Sequence, residues 1–343
     1  MFIKEKVSVA KYYIEKPFLA GYDAGVKPKN DLNQILKTLG FQSFQEVFGM
    51  KNIMISPEDI TFFYYPFSCD WEKLVLNQLS ASYMTTILFI MDIPSMVFDS
   101  DMEAELNVFN QATYLIVHNE RMKEWLIKKG INRPMTCLGL FDYLIEDPFY
   151  DKIPNRQFSH EVVFAGCIQK RFRKFLYDPN FKHEFQFNVY GSGLEDDIED
   201  DHTTYCGIYT PEVIPAYLKG SFGLHWNGDS KDTGEGRVAH YATIATSHKF
   251  SLYLLAKLPI ICWNQSSEAE LIEKENLGFL VSSLDEIDEK LENISEKQYK
   301  DMQQQVSKYS PKIKQGYFFK RVISELVHQI EQARQLQLHL DKE

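Results

Sequence analysis

The chain is predicted to be an α/β protein of two halves, each built on a parallel sheet. Three observations carry this expectation. Short apolar runs alternate with helix-length amphipathic segments along most of the chain, which is the pattern of βαβ units. The pattern breaks at the polar, proline-bearing stretch from Asp147-Pro148 to Pro154-Asn155 and then restarts. A length of 343 residues suits two cores better than one.

Taken in order, the first half offers two short apolar runs, Ile53–Pro57 and Ile60–Tyr65. Thr86–Ile93 then reads as a buried strand, Met102–Gln111 as a helix and Tyr114–His118 as a strand. Glu120–Lys129 reads as a helix closed by Gly130, and Met135–Leu140 as a further strand. After the break, strands are expected at Val162–Phe164, Phe185–Tyr190, Tyr205–Tyr209, Phe222–Trp226, Pro259–Trp263 and Phe279–Val281. Helices are expected at Pro211–Lys219, Ser247–Ala256, Glu268–Asn276 and Leu284–Ile294. This half is the clearer Rossmann-like unit. From Glu296 the chain is rich in Lys, Glu and Gln at helical spacing, interrupted by Gly316. The predicted domains are therefore 1–152, 153–315 and a helical tail at 316–343, packing back on the first domain or serving an oligomer.

Composition narrows the function. A net charge of −11 argues against the basic face that a nucleic-acid binder presents. The five cysteines are scattered and form no C-x-x-C pair, which argues against a zinc site or disulfide framework and fits a reducing cytoplasm. The N-terminal Met-Phe-Ile-Lys-Glu-Lys is broken by charge, and no apolar run approaches the ~20 residues of a membrane span. The expectation is a cytoplasmic protein with no transmembrane segment, free to work at the inner face of the membrane.

Open parallel sheets bind ligands at the carboxyl ends of their strands, so the residues just past each strand are the candidates. Phe164-Ala165-Gly166 is followed by a basic helix start, Lys170 to Lys174. Gly166 permits close backbone approach and Arg171 can grip a diphosphate, unless the charges merely face water. Gly191-Ser192-Gly193 lacks a third glycine and precedes a run of acids, so it reads as a turn. In Ser247-His248-Lys249-Phe250-Ser251, Lys249 sits in the first turn of a helix, where the dipole disfavours positive charge. A bound phosphate there would reverse that cost. Glu268-Ala269-Glu270 opens another helix, where carboxylates either cap or accept from ribose hydroxyls. Asp92, in Met91-Asp92-Ile93-Pro94, is either a general base, an acceptor-binding group or a turn carboxylate.

These segments, together with Gly220-Ser221-Phe222-Gly223-Leu224-His225-Trp226-Asn227-Gly228-Asp229-Ser230 and Leu258-Pro259-Ile260-Ile261-Cys262-Trp263, resemble the bacterial β-1,6-galactofuranosyltransferases and the related streptococcal glucosyltransferase 3 proteins. Asp31–Phe41 and Ile87–Phe98 look like the same family's first helix and strand–turn, so the resemblance spans most of the chain. It implies a GT-B fold, two Rossmann-like domains facing an interdomain cleft that holds a UDP-sugar. It implies that Arg171, after the glycine loop at Gly166, and Lys249, in the His248-Lys249 segment, hold the diphosphate, and that Tyr209, ahead of Pro211-Glu212, contacts the uracil. Ser251 and Glu270 fall where backbone and ribose contacts are expected. The family often carries His-Asp where this chain has Met91-Asp92, which leaves Asp92 as the candidate catalytic residue and puts the histidine's part in doubt.

The activity implied is transfer of a hexose, galactofuranose favoured, from a UDP-sugar to a hydroxyl of a growing glycan on a polysaccharide or glycoprotein. A UDP-glucose enzyme acting on a GlcNAc-modified adhesin and a non-catalytic sugar-nucleotide-binding subunit are the alternatives. No metal or cofactor is expected, because no Asp-x-Asp signature stands at a convincing strand end. The expected partners are the UDP-sugar, a lipid- or protein-linked glycan acceptor and further copies of the chain.

Overall fold

The computed structural model describes residues 9–15, 25–50 and 56–340. They group into two compact units. The described residues of the first fall within 9–15, 32–138 and 319–340, and those of the second within 25–31 and 139–318.

The first unit runs β1 (Lys11–Tyr13), α1 (Val26–Thr38), β2 (Gln42–Ser43), α2 (Phe44–Met50), β3 (Ile60–Tyr65), α3 (Asp70–Ala81), β4 (Thr85–Ile90), α4 (Pro94–Val97), α5 (Met102–Phe109), β5 (Tyr114–Val117), α6 (Glu120–Lys128) and β6 (Met135–Cys137), with residues 26–31 of α1 counted in the other unit. Its strands pair in parallel in the order β2-β1-β3-β4-β5-β6. The strand expected to reach Ile93 stops at Ile90, because Pro94 opens the short helix α4 and the residues before it form the turn. Asp92 lies exposed in that turn. The run expected at Ile53–Pro57 falls largely outside the described residues. β1 and β2, with three and two residues, are too short to show a period and escape a reading based on one.

The second unit runs α7 (Asp147–Tyr150), β7 (Glu161–Ala165), a 3-10 turn (Lys174–Tyr177), β8 (Gln186–Tyr190), β9 (Thr203–Gly207), α8 (Ile214–Tyr217), β10 (Phe222–His225), α9 (Arg237–Ala242), α10 (His248–Leu255), β11 (Ile260–Trp263), α11 (Ala269–Glu275), β12 (Gly278–Val281), a 3-10 turn (Leu284–Glu286), α12 (Ile287–Asn293) and α13 (Glu296–Lys314). α14 (Tyr317–Leu340) follows, and its residues from Phe319 count with the first unit, where Phe319 meets Phe89 edge-on at 5.1 Å. The second sheet is also wholly parallel, in the order β12-β11-β10-β7-β8-β9. Two six-stranded parallel sheets with helices are what the GT-B resemblance implied. The basic helix expected after Gly166 is absent. Turns close from Phe172 and Arg173 to Gln169 instead, and only the 3-10 turn follows.

The order of the second sheet reverses between β7 and β10. From β7 the chain builds outward through β8 and β9, then returns to start β10 on the other side. Such a switch point leaves a crevice at the carboxyl ends of the two strands, because their following loops leave in opposite directions. β7 and β10 pair only at Phe222↔Val162 and Gly223↔Val163. Beyond that the Tyr253 hydroxyl fills the gap, accepting from Ala165 N at 3.0 Å and donating to Leu224 O at 3.1 Å. A side chain at position 223 would exclude the Tyr253 ring, since a Cβ on Gly223 would lie 2.5 Å from it.

Residues 250–255 of α10 are all buried, so the helix is covered on every side rather than along one stripe. It packs against β10, β11, α8 and α13. Each fully buried Leu or Phe contributes roughly 1.5–3 kcal/mol of transfer free energy, so the helix is fixed by its surroundings. Tyr253→Phe leaves a buried N–H and a buried C=O unpaired, and should lower stability by about 1–3 kcal/mol in urea unfolding. An unchanged midpoint would mean that the hydroxyl does not bridge the strands.

Candidate functional site

At the switch point the turn after β7, the end of β10 and the first turn of α10 come together. Gly166 adopts φ +149, a conformation open to glycine and strained for other residues. Its carbonyl oxygen lies 1.7 Å from where a Cβ on Gly191 would stand, so the two turns after β7 and β8 nest because both carry glycine. Above Gly166 lies the Lys249 side chain, with Cε 3.2 Å from where a Cβ on Gly166 would be.

The Lys249 Nζ is buried without a hydrogen-bond partner, 4.1 Å from the centroid of the Phe164 ring. The Arg173 guanidinium approaches the same ring at 5.9 Å. Its Nε is also buried and unpartnered, while Nη1 donates to Phe172 O at 2.6 Å. Burial, reinforced by the neighbouring Arg173, holds the Lys249 amine well below the usual lysine range. Burial likewise lowers Arg173. His225, at the end of β10, is pushed down to about 3 by burial and then by Lys249 and Arg173. It is therefore a neutral imidazole at pH 7, with Nδ1 3.4 Å from Cys262 Sγ and Nε2 3.3 Å from Asn227 Nδ2. A buried amine and a buried guanidinium against one aromatic ring, with donors left over, suit an anionic ligand. A buried donor without a partner costs free energy that an anionic ligand would recover.

The residues expected to form the site are placed unequally. Gly166 and Lys249 meet. Arg171 does not join them: the turns after Gly166 carry it to the surface, where its Nε donates to Gln169 and its guanidinium stacks on Phe172 at 4.6 Å. Arg173, two residues on, is the guanidinium the fold buries beside the lysine. His248 faces the other way, stacked on Tyr143 at 4.8 Å and 10°, with Nε2 3.2 Å from Asp142 O. Burial, and then Lys27, pushes its pKa down to about 3. Ser251 is fully buried and donates to Phe141 O at 2.7 Å, so its hydroxyl braces the backbone. Tyr209 stacks on Tyr217 at 5.1 Å and lies 5.8 Å from Tyr190. Glu270 is exposed in the first turn of α11, whereas Glu268 just before it is buried. Asp92 belongs to the first unit.

Two models of one family match the chain. The N-terminal domain of glucosyltransferase 3-like proteins covers residues 11–140, and the C-terminal domain covers residues 162–326. The chain belongs to the glucosyltransferase 3-like family. It is accordingly a glycosyltransferase. Glucosyltransferase 3 of Streptococcus gordonii is 26% identical over 95% of this chain and 99% of its own length. The beta-1,6-galactofuranosyltransferase WbbI of Escherichia coli strain K12 is 29% identical over 62% of this chain and 63% of its own length. A solved glycosyltransferase involved in avilamycin A biosynthesis superposes with a TM-score of 0.53 at 9% identity, covering 95% of this chain and 98% of that one. The fold of this glucosyltransferase 3-like chain is thus the GT-B fold, and the family match takes in both of its units.

Lys249→Met removes a buried amine that has no hydrogen-bond partner and is repelled by Arg173, and should stabilise the protein by about 1–3 kcal/mol at pH 7. The sign with pH follows from the lowered folded value. Between it and the unfolded lysine value the unfolded chain binds more protons, so the wild type gains stability as pH rises and the advantage of the methionine shrinks towards pH 10. Urea unfolding of both proteins at pH 7 and pH 10 checks this. A methionine variant less stable than wild type at both would show that the amine is compensated.

Proposed function

We propose that the protein transfers a hexose from a UDP-sugar to a hydroxyl of a growing glycan on a cell-surface polysaccharide or glycoprotein. One observation carries the reading: the unpartnered Lys249 amine beside the Arg173 guanidinium, above Gly166 at the switch point of the second sheet. As the sugar–phosphate bond breaks, negative charge grows on the departing UDP. Preorganised cations in a site shielded from water stabilise that charge more than water would. They supply compensation of the kind a divalent metal gives elsewhere, so turnover is expected to persist in EDTA. Tyr209 is proposed to contact the uracil, Arg171 to meet the donor from the rim and Glu270 from the ribose side, while His248 and Ser251 hold α10 in place behind Lys249. Asp92 is proposed as the base that takes the acceptor proton.

Galactofuranose is the sugar we favour, supported by the match to the Escherichia coli galactofuranosyltransferase. Glucose is the second reading, supported by the full-length match to Streptococcus gordonii glucosyltransferase 3.

The test combines thermal shift with UDP release. UDP should raise the melting temperature of the wild type and leave Lys249→Met and Arg173→Gln unmoved. Acceptor-dependent UDP release from UDP-galactofuranose, UDP-glucose and UDP-galactose, with a GDP-sugar as control, ranks the donors. UDP binding without release on any acceptor would favour the non-catalytic subunit, and no response to any UDP compound would overturn the donor site. Asp92→Asn should lower kcat by about 10²–10⁴-fold with little change in donor KM. Full activity in that variant would remove Asp92 from the base's role.

A further inference from the structure

Glu268 belongs to no part of the machinery described so far, yet it is 3% exposed and carries a carboxylate. It stands at the head of α11, and its oxygens face the head of α10. One accepts from Ser247 N at 2.7 Å, and the other accepts from the hydroxyls of Ser266 and of Ser267, the latter at 3.0 Å. Ser247 is the N-cap of α10, and its Oγ accepts from Lys249 N at 3.2 Å. A chain of two hydrogen bonds therefore leads from the carboxylate to the backbone of the lysine. Buried carboxylates are costly unless something nearby repays the desolvation. Three donors repay part of it, and the field of Glu268 also reaches the Lys249 amine.

We infer that Glu268 is a positioning residue for Lys249: it pins the N-cap of α10 and supplies the fixed negative charge that keeps the lysine protonated and ready for a diphosphate. The inference rests on the donor site proposed above. The groups that face the lysine are Arg173 and Cys167 from the turn after β7, His225 at the end of β10 and Glu268 itself. Arg173 and His225 do not offset positive charge there, so Glu268 is the carboxylate that does. Cys262 on β11 faces Glu268 from the sheet side, and Asp229 faces Arg173. Burial raises the Glu268 carboxyl, while its serine partners and Ser247 N pull it back towards the ionised form.

Glu268→Gln separates the two functions. The amide oxygen can keep the bond from Ser247 N, while the charge is lost. UDP affinity of the full chain, measured calorimetrically from pH 6 to pH 9, should fall with rising pH as the lysine loses its proton. In Glu268→Gln the fall should begin at a lower pH, the direction expected for loss of an opposite charge. UDP's own titration is common to both proteins and cancels in the comparison. A residue that only stabilises the fold would lower the melting temperature and leave the two pH profiles superimposed, and that result would overturn the inference. Should the glutamine variant not fold, Ser266→Ala, which makes the carboxylate easier to protonate, should shift the profile in the same direction.

If the wild type binds no UDP at any pH, the proposed function falls and the inference is still decided. The Lys249 Cε resonance of lysine-labelled protein, assigned by its loss in Lys249→Arg, should titrate at a lower pH in Glu268→Gln. An unchanged titration would overturn it.

Discussion

The second unit depends on a hydroxyl group. β7 and β10 lie side by side for two residue pairs and then part, and at the point of parting Tyr253 supplies the hydrogen bonds that the ladder no longer can. A sheet that opens at its switch point exposes backbone groups that neither water nor a strand can reach, so an opening of this kind needs a polar wedge. The wedge comes from α10, which fixes that helix in rotation as well as in depth. The ring must lie flat over Gly223 for the oxygen to reach both strands. Lys249 is one turn earlier on the same helix. Its aim at the crevice above Gly166 follows from the same anchoring, because residues i and i+4 share a helix face.

A helix held so firmly can carry an unfavourable charge. Its N-terminus prefers anions, yet it presents a lysine, buried beside an arginine. The cost is met by supports on both sides. Ser247 and Glu268 hold the cap, while His248 and Ser251 bond to the backbone of Asp142 and Phe141 and His248 stacks on Tyr143. That segment is itself clamped by an ion pair within α1. Lys27 donates to Leu144 O and Asp31 accepts from Leu144 N at 2.9 Å, with the Asp31 carboxyl raised to about 6 chiefly by burial. Polar groups that look like ligand-binding residues in the sequence are in this structure the braces of the residue proposed to bind.

This division explains which parts could be read from the sequence. Most strands from β3 to β12 are apolar runs bounded by turn residues, and a period-based reading finds most of them within a residue or two; β9, with two threonines and a glycine, is the clearest departure. β1 and β2 are too short to carry a period. The site was legible at Gly166, where a strand ends in glycine, and at Lys249, where a cation stands at the wrong end of a helix. Choosing among Arg171, Arg173 and Lys174 needed the path of the chain. A helix there would have put residues on faces by a fixed rotation, but the irregular turns after Gly166 obey no such rule, and they turn Arg171 out and Arg173 in. Glu268, at a helix start, carries the sequence pattern of a cap. It is one, but for the neighbouring helix rather than its own, and a cross-helix contact has no sequence spacing to betray it.

The charges at the switch point bear on a further matter, the sugar. Lys249 and Arg173 are the groups proposed to meet a diphosphate, which is the same whichever hexose it carries. A site built to hydrogen-bond a particular hydroxyl rejects its epimer because a buried partner is left unpaired, whereas a phosphate clamp rewards every donor alike. Donor choice therefore has to reside in polar groups that meet the hexose rather than in the clamp. One frame can then serve proteins named for different sugars, as the glucosyltransferase and galactofuranosyltransferase relatives of this chain are. The anchoring of α10 and the cation pair are the parts such a family can keep, while the residues facing the sugar change around them.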